Sequence, residues 1–459
     1  MVPVTSCADR QVAVFGLGLS GVAAAQALEA GGAQVIVWDD NGQKRRHARD
    51  HGLTVADLSG ISWAGVEMLV LSPGVPLTHP APHWSVELAR AAGAEVVGDT
   101  ELFERERALR AKNSRLVAIT GTNGKSTTTA LITHILSDSG VPVAMGGNIG
   151  VPILALDDVA DGMTYVIEYS SYQIDLTPSL NPSVGVLLNL SEDHIDRHGS
   201  FEHYAEVKER LARAAARRGL AVIGADDAAS RRIALRLEKS GGRVLRVSAQ
   251  GPVERGIFAE DGKLFQALDD SVHEVGDLAG IASLRGAHNW QNAAAAFAVC
   301  RSLGLHGAAI QRAISSFPGL AHRMEEVRRI GKVLFINDSK ATNADAAARS
   351  LGEFEPIYWI AGGQPKSGGI EALKPFFGRV AHAFLIGEAA ESFAKTLDGK
   401  VPFTISGDLD SAVAEAARAA AGSKADEPVV LLAPACASFD QFANFEARGW
   451  AFREAVERL

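Results

Sequence analysis

Residues 117–129, Val-Ala-Ile-Thr-Gly-Thr-Asn-Gly-Lys-Ser-Thr-Thr-Thr, run from an apolar strand through a glycine-lysine-hydroxyl turn straight into a helix. Few local structures satisfy that order. Gly121 and Gly124 let the backbone turn until several N–H groups face one point, and the helix directs its positive end there. Thr122, Asn123 and Thr127 complete the cradle, which suits the phosphates of ATP. Lys125 would reach the β- and γ-phosphates as a point charge, and the Ser126 hydroxyl is spaced to ligate Mg²⁺. A full phosphate-loop pattern carries glycine five residues before Gly124; Ile119 stands there, so this loop is a shorter variant. A capped helix after a Gly-rich turn needs no nucleotide, but here strand, turn and helix all fall where phosphate binding requires them.

At 459 residues the chain is too long for one core, and about three domains are expected. Its 47% hydrophobic and 22% charged residues describe an ordinary globular protein. A net charge of −9 argues against a nucleic-acid backbone or an anionic membrane as the main partner. Cys7, Cys300 and Cys436 form no Cys-x-x-Cys pair, which argues against a disulfide framework or a zinc site. No signal sequence is evident, and no apolar run approaches the roughly 20 residues of a membrane span. A cytoplasmic location is expected.

The chain opens with a predicted strand, Gln11–Phe15, followed by Gly16-Leu17-Gly18-Leu19-Ser20-Gly21 and an Ala-rich helix to about Ala30. A second strand, Gln34–Trp38, ends in Asp39-Asp40, and a third, 68–71, ends in Ser72-Pro73-Gly74-Val75. Alternating strands and helices imply a parallel sheet with a ligand crevice at its carboxyl edge. The glycines fit a dinucleotide, as in a nicotinamide-dependent dehydrogenase, but equally a UDP-sugar diphosphate. A charged helix is expected at 104–112. Beyond the phosphate loop, strand 164–167 ends in Glu168 and strand 184–188 leads to Asp193-His194. Alone, Glu168 reads as a surface carboxylate and His194 as a structural histidine. Together at strand ends of one phosphate-loop sheet they point to a metal position. Lys208, in the amphipathic helix 201–213, reads by spacing as part of a solvated, salt-bridged face.

Residues 219–280 carry little pattern. Asn289 and Asn292 share a helical face and could pair with an adenine edge, although one could simply cap the helix. A nucleotide-switch binding protein would account for Lys125 and Ser126 but not for the strand pattern that restarts after 317–320. There, strands 333–336, 357–360 and Val429–Leu432 each end in polar loops, and Lys340, Lys366 and Ser438 suit an anionic small molecule. Ordinary surface lysines are the plain alternative.

Along almost its whole length the chain resembles the Mur ligase family. The resemblance rests on residues 120–127, on Gly286-Ala287-His288-Asn289-Trp290-Gln291-Asn292, on Ala321-His322-Arg323, and on 16–21, 72–75, 147–150, 170–173, 337–343 and 434–438. Folate-polyglutamate ligases share part of this pattern. The resemblance implies an α/β fold in three domains: a Rossmann-like UDP-precursor-binding domain (1–98), a central ATP-binding domain with a parallel sheet (99–319), and a Rossmann-like amino-acid-binding domain (320–459). Hinges are expected near Gly98 and 318–319. It further implies ATP, two Mg²⁺ ions, a UDP-linked muramoyl-alanine acceptor and D-glutamate, with L-glutamate open as an alternative, and a monomer is expected. By the resemblance, Lys125 holds the transferred phosphoryl group, and Ser126, Glu168, His194 and a carbamoylated Lys208 surround the metals. Ser20, Asp39, Ser72, Asn148 and His194 face the UDP precursor; Asn289, Asn292, Arg323 and Asp338 hold ATP; Lys340, Thr342, Lys366, Ser438 and Phe445 surround glutamate.

Overall fold

Short apolar runs, each stopped by a glycine or polar turn, build three separate sheets. The computed structural model describes residues 1–268, 271–365 and 368–459. The first sheet holds Gln11–Phe15 (β1), Gln34–Trp38 (β2), Val66–Leu71 (β3) and Glu95–Val97 (β4), all parallel, in the order β2-β1-β3-β4.

The central sheet takes Arg115–Thr120 (β5), Val143–Gly147 (β6), Thr164–Glu168 (β7), Val184–Leu187 (β8), Leu220–Gly224 (β9), Val244–Ser248 (β10), Gly256–Glu260 (β11), Lys263–Leu268 (β12) and Ser271–Asp277 (β13). Their order is β13-β12-β11-β10-β9-β8-β5-β7-β6. Strands β5 to β11 run parallel, and β12 and β13 are antiparallel additions at one edge. Because β5 lies between β7 and β8, the phosphate loop, Glu168 and the turn after β8 open at the same carboxyl edge. The register fixes this, with Ile119 opposite Glu168 and Thr120 opposite Leu187.

The third sheet comprises Glu325–Ile330 (β14), Val333–Asn337 (β15), Ile357–Gly362 (β16), Val380–Ile386 (β17), Phe403–Gly407 (β18) and Val429–Leu432 (β19), ordered β14-β15-β19-β16-β17-β18. Only β14 is antiparallel to its neighbour. By packing, residues 1–279 and 287–317 make one unit, and residues 280–286 and 318–459 another. Among the described residues no helix is long and apolar enough to cross a membrane.

Three expectations need correction. The charged helix starts at Asp99 rather than 104 and ends at Arg110. Its acids are buried, with Glu101, Glu104 and Glu106 paired to Arg105, Arg107 and Arg110. Residues 219–280 are not featureless but supply β9 to β13; β13 is mostly exposed, which removes the apolar run a strand assignment needs. The helix bearing Lys208 extends over Phe201–Arg218, and Lys208 is 2% exposed, so the solvated-face reading fails.

Candidate active site

Gly124 caps the helix Lys125–Asp138 with φ 82°, a left-handed conformation that glycine adopts without strain. A Cβ there would also stand 2.3 Å from Asn292 Oδ1, so the loop and the helix Ala287–Ser302 approach closely. Asn189, in the turn after β8, accepts from the Asn123 amide at 2.9 Å and donates back to its carbonyl at 3.2 Å. Lys125 Nζ donates to the Gly121 and Thr122 carbonyls, each at 2.9 Å. Thr122 Oγ1 lies 3.0 Å from the Tyr204 hydroxyl. Thr127 follows Ser126, which is buried, in the first helical turn. Asn289 and Asn292 are buried within their helix, with Asn292 Nδ2 donating to Asn289 Oδ1 at 3.1 Å and Asn292 Oδ1 accepting from Thr128 Oγ1 at 3.2 Å.

Beside this loop the structure leaves two buried charged groups. Glu168 Oε1 accepts from Asn148 Nδ2 at 2.7 Å, whereas buried Oε2 has no hydrogen-bond partner among the described residues. An ionised oxygen without a donor is costly to bury, and a hard cation would satisfy it, so this position fits Mg²⁺. Lys208 Nζ donates to Thr120 Oγ1 at 3.1 Å and the Gly121 carbonyl at 3.0 Å. Burial, then the Lys125 charge, drives its pKa well below the ordinary 10.5, which favours the neutral amine that carbamoylation needs. His194 adopts φ 54° at the start of the turn Ile195–His198, half exposed, 3.4 Å from Asp193 and with its ring 5.1 Å from that of Tyr172. Burial and then the charges of Lys208 and Lys125 lower its pKa, overcoming the opposing pull of Asp193. Among the described residues no three His, Cys, Asp or Glu side chains converge, so a Mg²⁺ ion at Glu168 would take its remaining ligands from other groups, as this ion commonly does from waters and phosphate oxygens.

A cleft of about 660 Å³ runs from the glycine loop to Asn148, and Ser20, Asp39, Ser72 and Asn148 all line it. Ser72 Oγ donates to the Gly16 carbonyl at 2.6 Å. Asp39 accepts from the Leu17 amide at 2.7 Å and the Asn41 amide at 2.8 Å. Burial pushes its carboxyl up, but those amides and Lys44 outweigh burial and hold it below its ordinary value. Below the loop lies Asp99, whose pKa burial raises to about 6 despite hydrogen bonds from the Thr100 amide and Ser20.

In the second unit Lys340 Nζ sits 3.9 Å above the Phe445 ring, and the Thr342 amide donates to the Lys340 carbonyl at 2.7 Å. Buried Ser438 belongs to the turn after β19, and Lys366 lies outside the described residues. Asp338 is buried, accepting from Ser350 Oγ and, at 3.3 Å, from the Met324 amide, and burial raises its pKa. Arg323 and Asp338 belong to this unit, whereas Asn289 and Asn292 belong to the first. Arg448 is fully buried and donates to Ser339 Oγ at 3.0 Å, the Ser339 carbonyl at 2.8 Å and the Cys436 carbonyl at 3.1 Å, tying the turn before Lys340 to the turn bearing Ser438. Sequence reasoning missed Arg448, Asn189 and Tyr204. Asn189 carried a signal, an amide directly after an apolar strand; Arg448, in a polar helix, carried none.

Residues 119–300 match the Mur ligase middle domain. The fold agrees: the solved UDP-N-acetylmuramate-alanine ligase from Thermotoga maritima superposes with a TM-score of 0.59 at 17% identity, covering 98% of this chain and 99% of that one. The middle-domain match and the fold both point to the class of Mur ligases, which the full-length relatives establish. The chain is 58% identical to the UDP-N-acetylmuramoylalanine--D-glutamate ligase of Rhodopseudomonas palustris (strain HaA2), over 100% of this chain and 98% of the relative. The enzyme of the same name from Brucella abortus (strain 2308) is likewise 58% identical over 100% and 98%. By that likeness the chain belongs to the UDP-N-acetylmuramoylalanine--D-glutamate ligase family.

Proposed function

We infer that this chain is the ATP-dependent enzyme that joins D-glutamate to UDP-N-acetylmuramoyl-L-alanine in peptidoglycan precursor synthesis. One observation carries the reading beyond family membership: Asn148 lines the precursor cleft and also holds Glu168 beside the phosphate loop. A precursor whose diphosphate lies at the glycine loop would therefore bring its far end to the phosphoryl donor.

A carboxylate acylates poorly because its leaving group would be oxide. In the proposed reaction the alanyl carboxylate attacks the γ-phosphorus of ATP, ADP leaves, and an acyl phosphate forms. The glutamate amine then attacks the acyl carbon, a proton is lost, and phosphate departs. Lys125 holds the transferred phosphoryl group and offsets its spreading charge. Asn289, Asn292, Arg323 and Asp338 hold ATP; Ser20, Asp39, Ser72, Asn148 and His194 orient the precursor; Lys340, Thr342, Lys366, Ser438 and Phe445 seat glutamate. Two Mg²⁺ ions, held by Ser126, Glu168, His194 and carbamoylated Lys208, would supply charge neutralisation at the phosphoryl oxygens. Carbamoylation adds carbon dioxide to the neutral Lys208 amine and releases a proton, turning a cation into a carboxylate-like ligand. The division at residues 98 and 319, a monomeric assembly and a cytoplasmic location belong to the same proposal.

Phosphate release from ATP, measured with UDP-N-acetylmuramoyl-L-alanine and either D-glutamate, L-glutamate or no amino acid, tests it. Release that requires the acceptor and D-glutamate is expected. Stimulation by L-glutamate alone would revise the glutamate pocket, and stimulation by neither would overturn the reading.

A further inference from the structure

The cleft wall at residues 72–75 comes from the first sheet, whereas His194 follows β8 of the central sheet. What holds the two in register is a side chain with no role so far. Arg197, in the turn Ile195–His198, donates from Nη1 to the Gly74 carbonyl at 2.8 Å, and Gly74 lines the precursor cleft. Its guanidinium carbon stands 4.7 Å from the centroid of Tyr172, a cation–π distance. Tyr172 in turn stacks on His198 at 5.5 Å and meets His194 at 5.1 Å. The same two segments also touch at His79 and Gly199: a Cβ on Gly199, whose φ is 78°, would fall 2.5 Å from His79 Nε2. Arg197 Nε is buried and has no hydrogen-bond partner among the described residues, a cost its contacts to Gly74 and Tyr172 must offset.

We propose that Arg197 is a positioning residue for the acceptor, locking the 72–75 wall of the cleft to the turn that carries His194. This rests on the acceptor assignment above. An acceptor bound at its diphosphate end can be spent on orienting a distant carboxylate only if the two ends of the site keep a fixed separation. Arg197 sets that separation. Removing it loosens the acceptor at its reacting end and leaves the phosphate loop, braced by Asn189 and Asn292, untouched.

The test is steady-state kinetics of the full chain, varying UDP-N-acetylmuramoyl-L-alanine, ATP and D-glutamate in turn, on R197A, R197K and Y172L. For R197A the acceptor KM should rise about tenfold or more, with kcat falling and the ATP and glutamate KM values staying within about twofold. R197K should recover part of the acceptor KM, and Y172L, which removes only the ring, should show a smaller rise. Binding of a fluorescent ATP analogue to each variant reports an intact first unit. An unchanged acceptor KM in R197A, or KM values for acceptor and ATP that rise together, would overturn the proposal. If R197A does not fold, an unchanged acceptor KM in both R197K and Y172L overturns it instead. Absence of turnover by the unmodified chain sinks the acceptor assignment, whereas turnover without the acceptor-specific shift sinks only the role of Arg197.

Discussion

The phosphate-loop site and the strand-end loops of the second unit both bury a basic side chain, and they treat it in opposite ways. Lys208 is desolvated, has only a hydroxyl and one carbonyl as hydrogen-bond acceptors, and lies near Glu168, whose Oε2 has no donor. Arg448 is equally buried, yet its guanidinium is met by Ser339 Oγ and the carbonyls of Ser339, Cys436 and Ala437. One site leaves polar valences incomplete within the protein. The other satisfies its buried charge internally, as scaffolding. A buried charge therefore marks function only when its own hydrogen bonds are incomplete.

The sharpest challenge to that contrast is Lys208→Met. Phosphate release should fall by about 10²–10³-fold or more, while thermal stability is unchanged or raised, because a desolvated amine is replaced by an apolar chain of similar volume. A large loss of stability would make Lys208 scaffolding like Arg448. Arg448→Met should do the reverse, costing the second unit about 3 kcal/mol or more in denaturant unfolding as several buried acceptors lose their donor. Its KM for D-glutamate should rise and that for ATP should not.

Asp99 extends the comparison to the precursor side. Its folded-state pKa of about 6 stands above the ordinary 3.8, so the folded chain holds the proton more tightly than the unfolded chain. Its contribution to stability is thus present below pH 3.8 and is lost as pH rises through about 6. Asp99→Asn should remove a cost of up to about 3 kcal/mol at pH 7.5, seen as a Tm that falls less between pH 4.5 and 7.5 than that of the parent chain. Parallel Tm profiles would show that Asp99 is not an uncompensated acid. The smallest effect is expected from Asn189→Ala: losing the acceptor for the Asn123 amide should cost about 1 kcal/mol, read as a rise of about fivefold in the KM for ATP.

Strand positions were legible wherever an apolar run met a polar stop. Gln11–Phe15 and Val429–Leu432 need no tertiary information, because a parallel strand buried on both faces must be almost continuously apolar; the half-buried edge strand Gln34–Trp38 was legible from its apolar run and the Asp39-Asp40 stop. The phosphate loop was legible for a similar reason, since glycine, lysine and hydroxyl act on one another within a single turn. The antiparallel strands β12 and β13 at one end of the central sheet were not, because many of their side chains meet water and the pattern dissolves.

Charge in helices is where local pattern and tertiary structure part. Lys208 sits among Glu206 and Glu209 in a spacing that describes an exposed salt-bridged face. Only the packing of the helix Phe201–Arg218 against β8 and β9 turns Lys208 toward Thr120, and only the fold brings Arg448 to carbonyls twelve and 109 residues away along the chain. Periodicity records which residues share a face. It does not record what that face meets, and for an ionisable side chain the solvent or protein it meets determines its protonation and its chemistry.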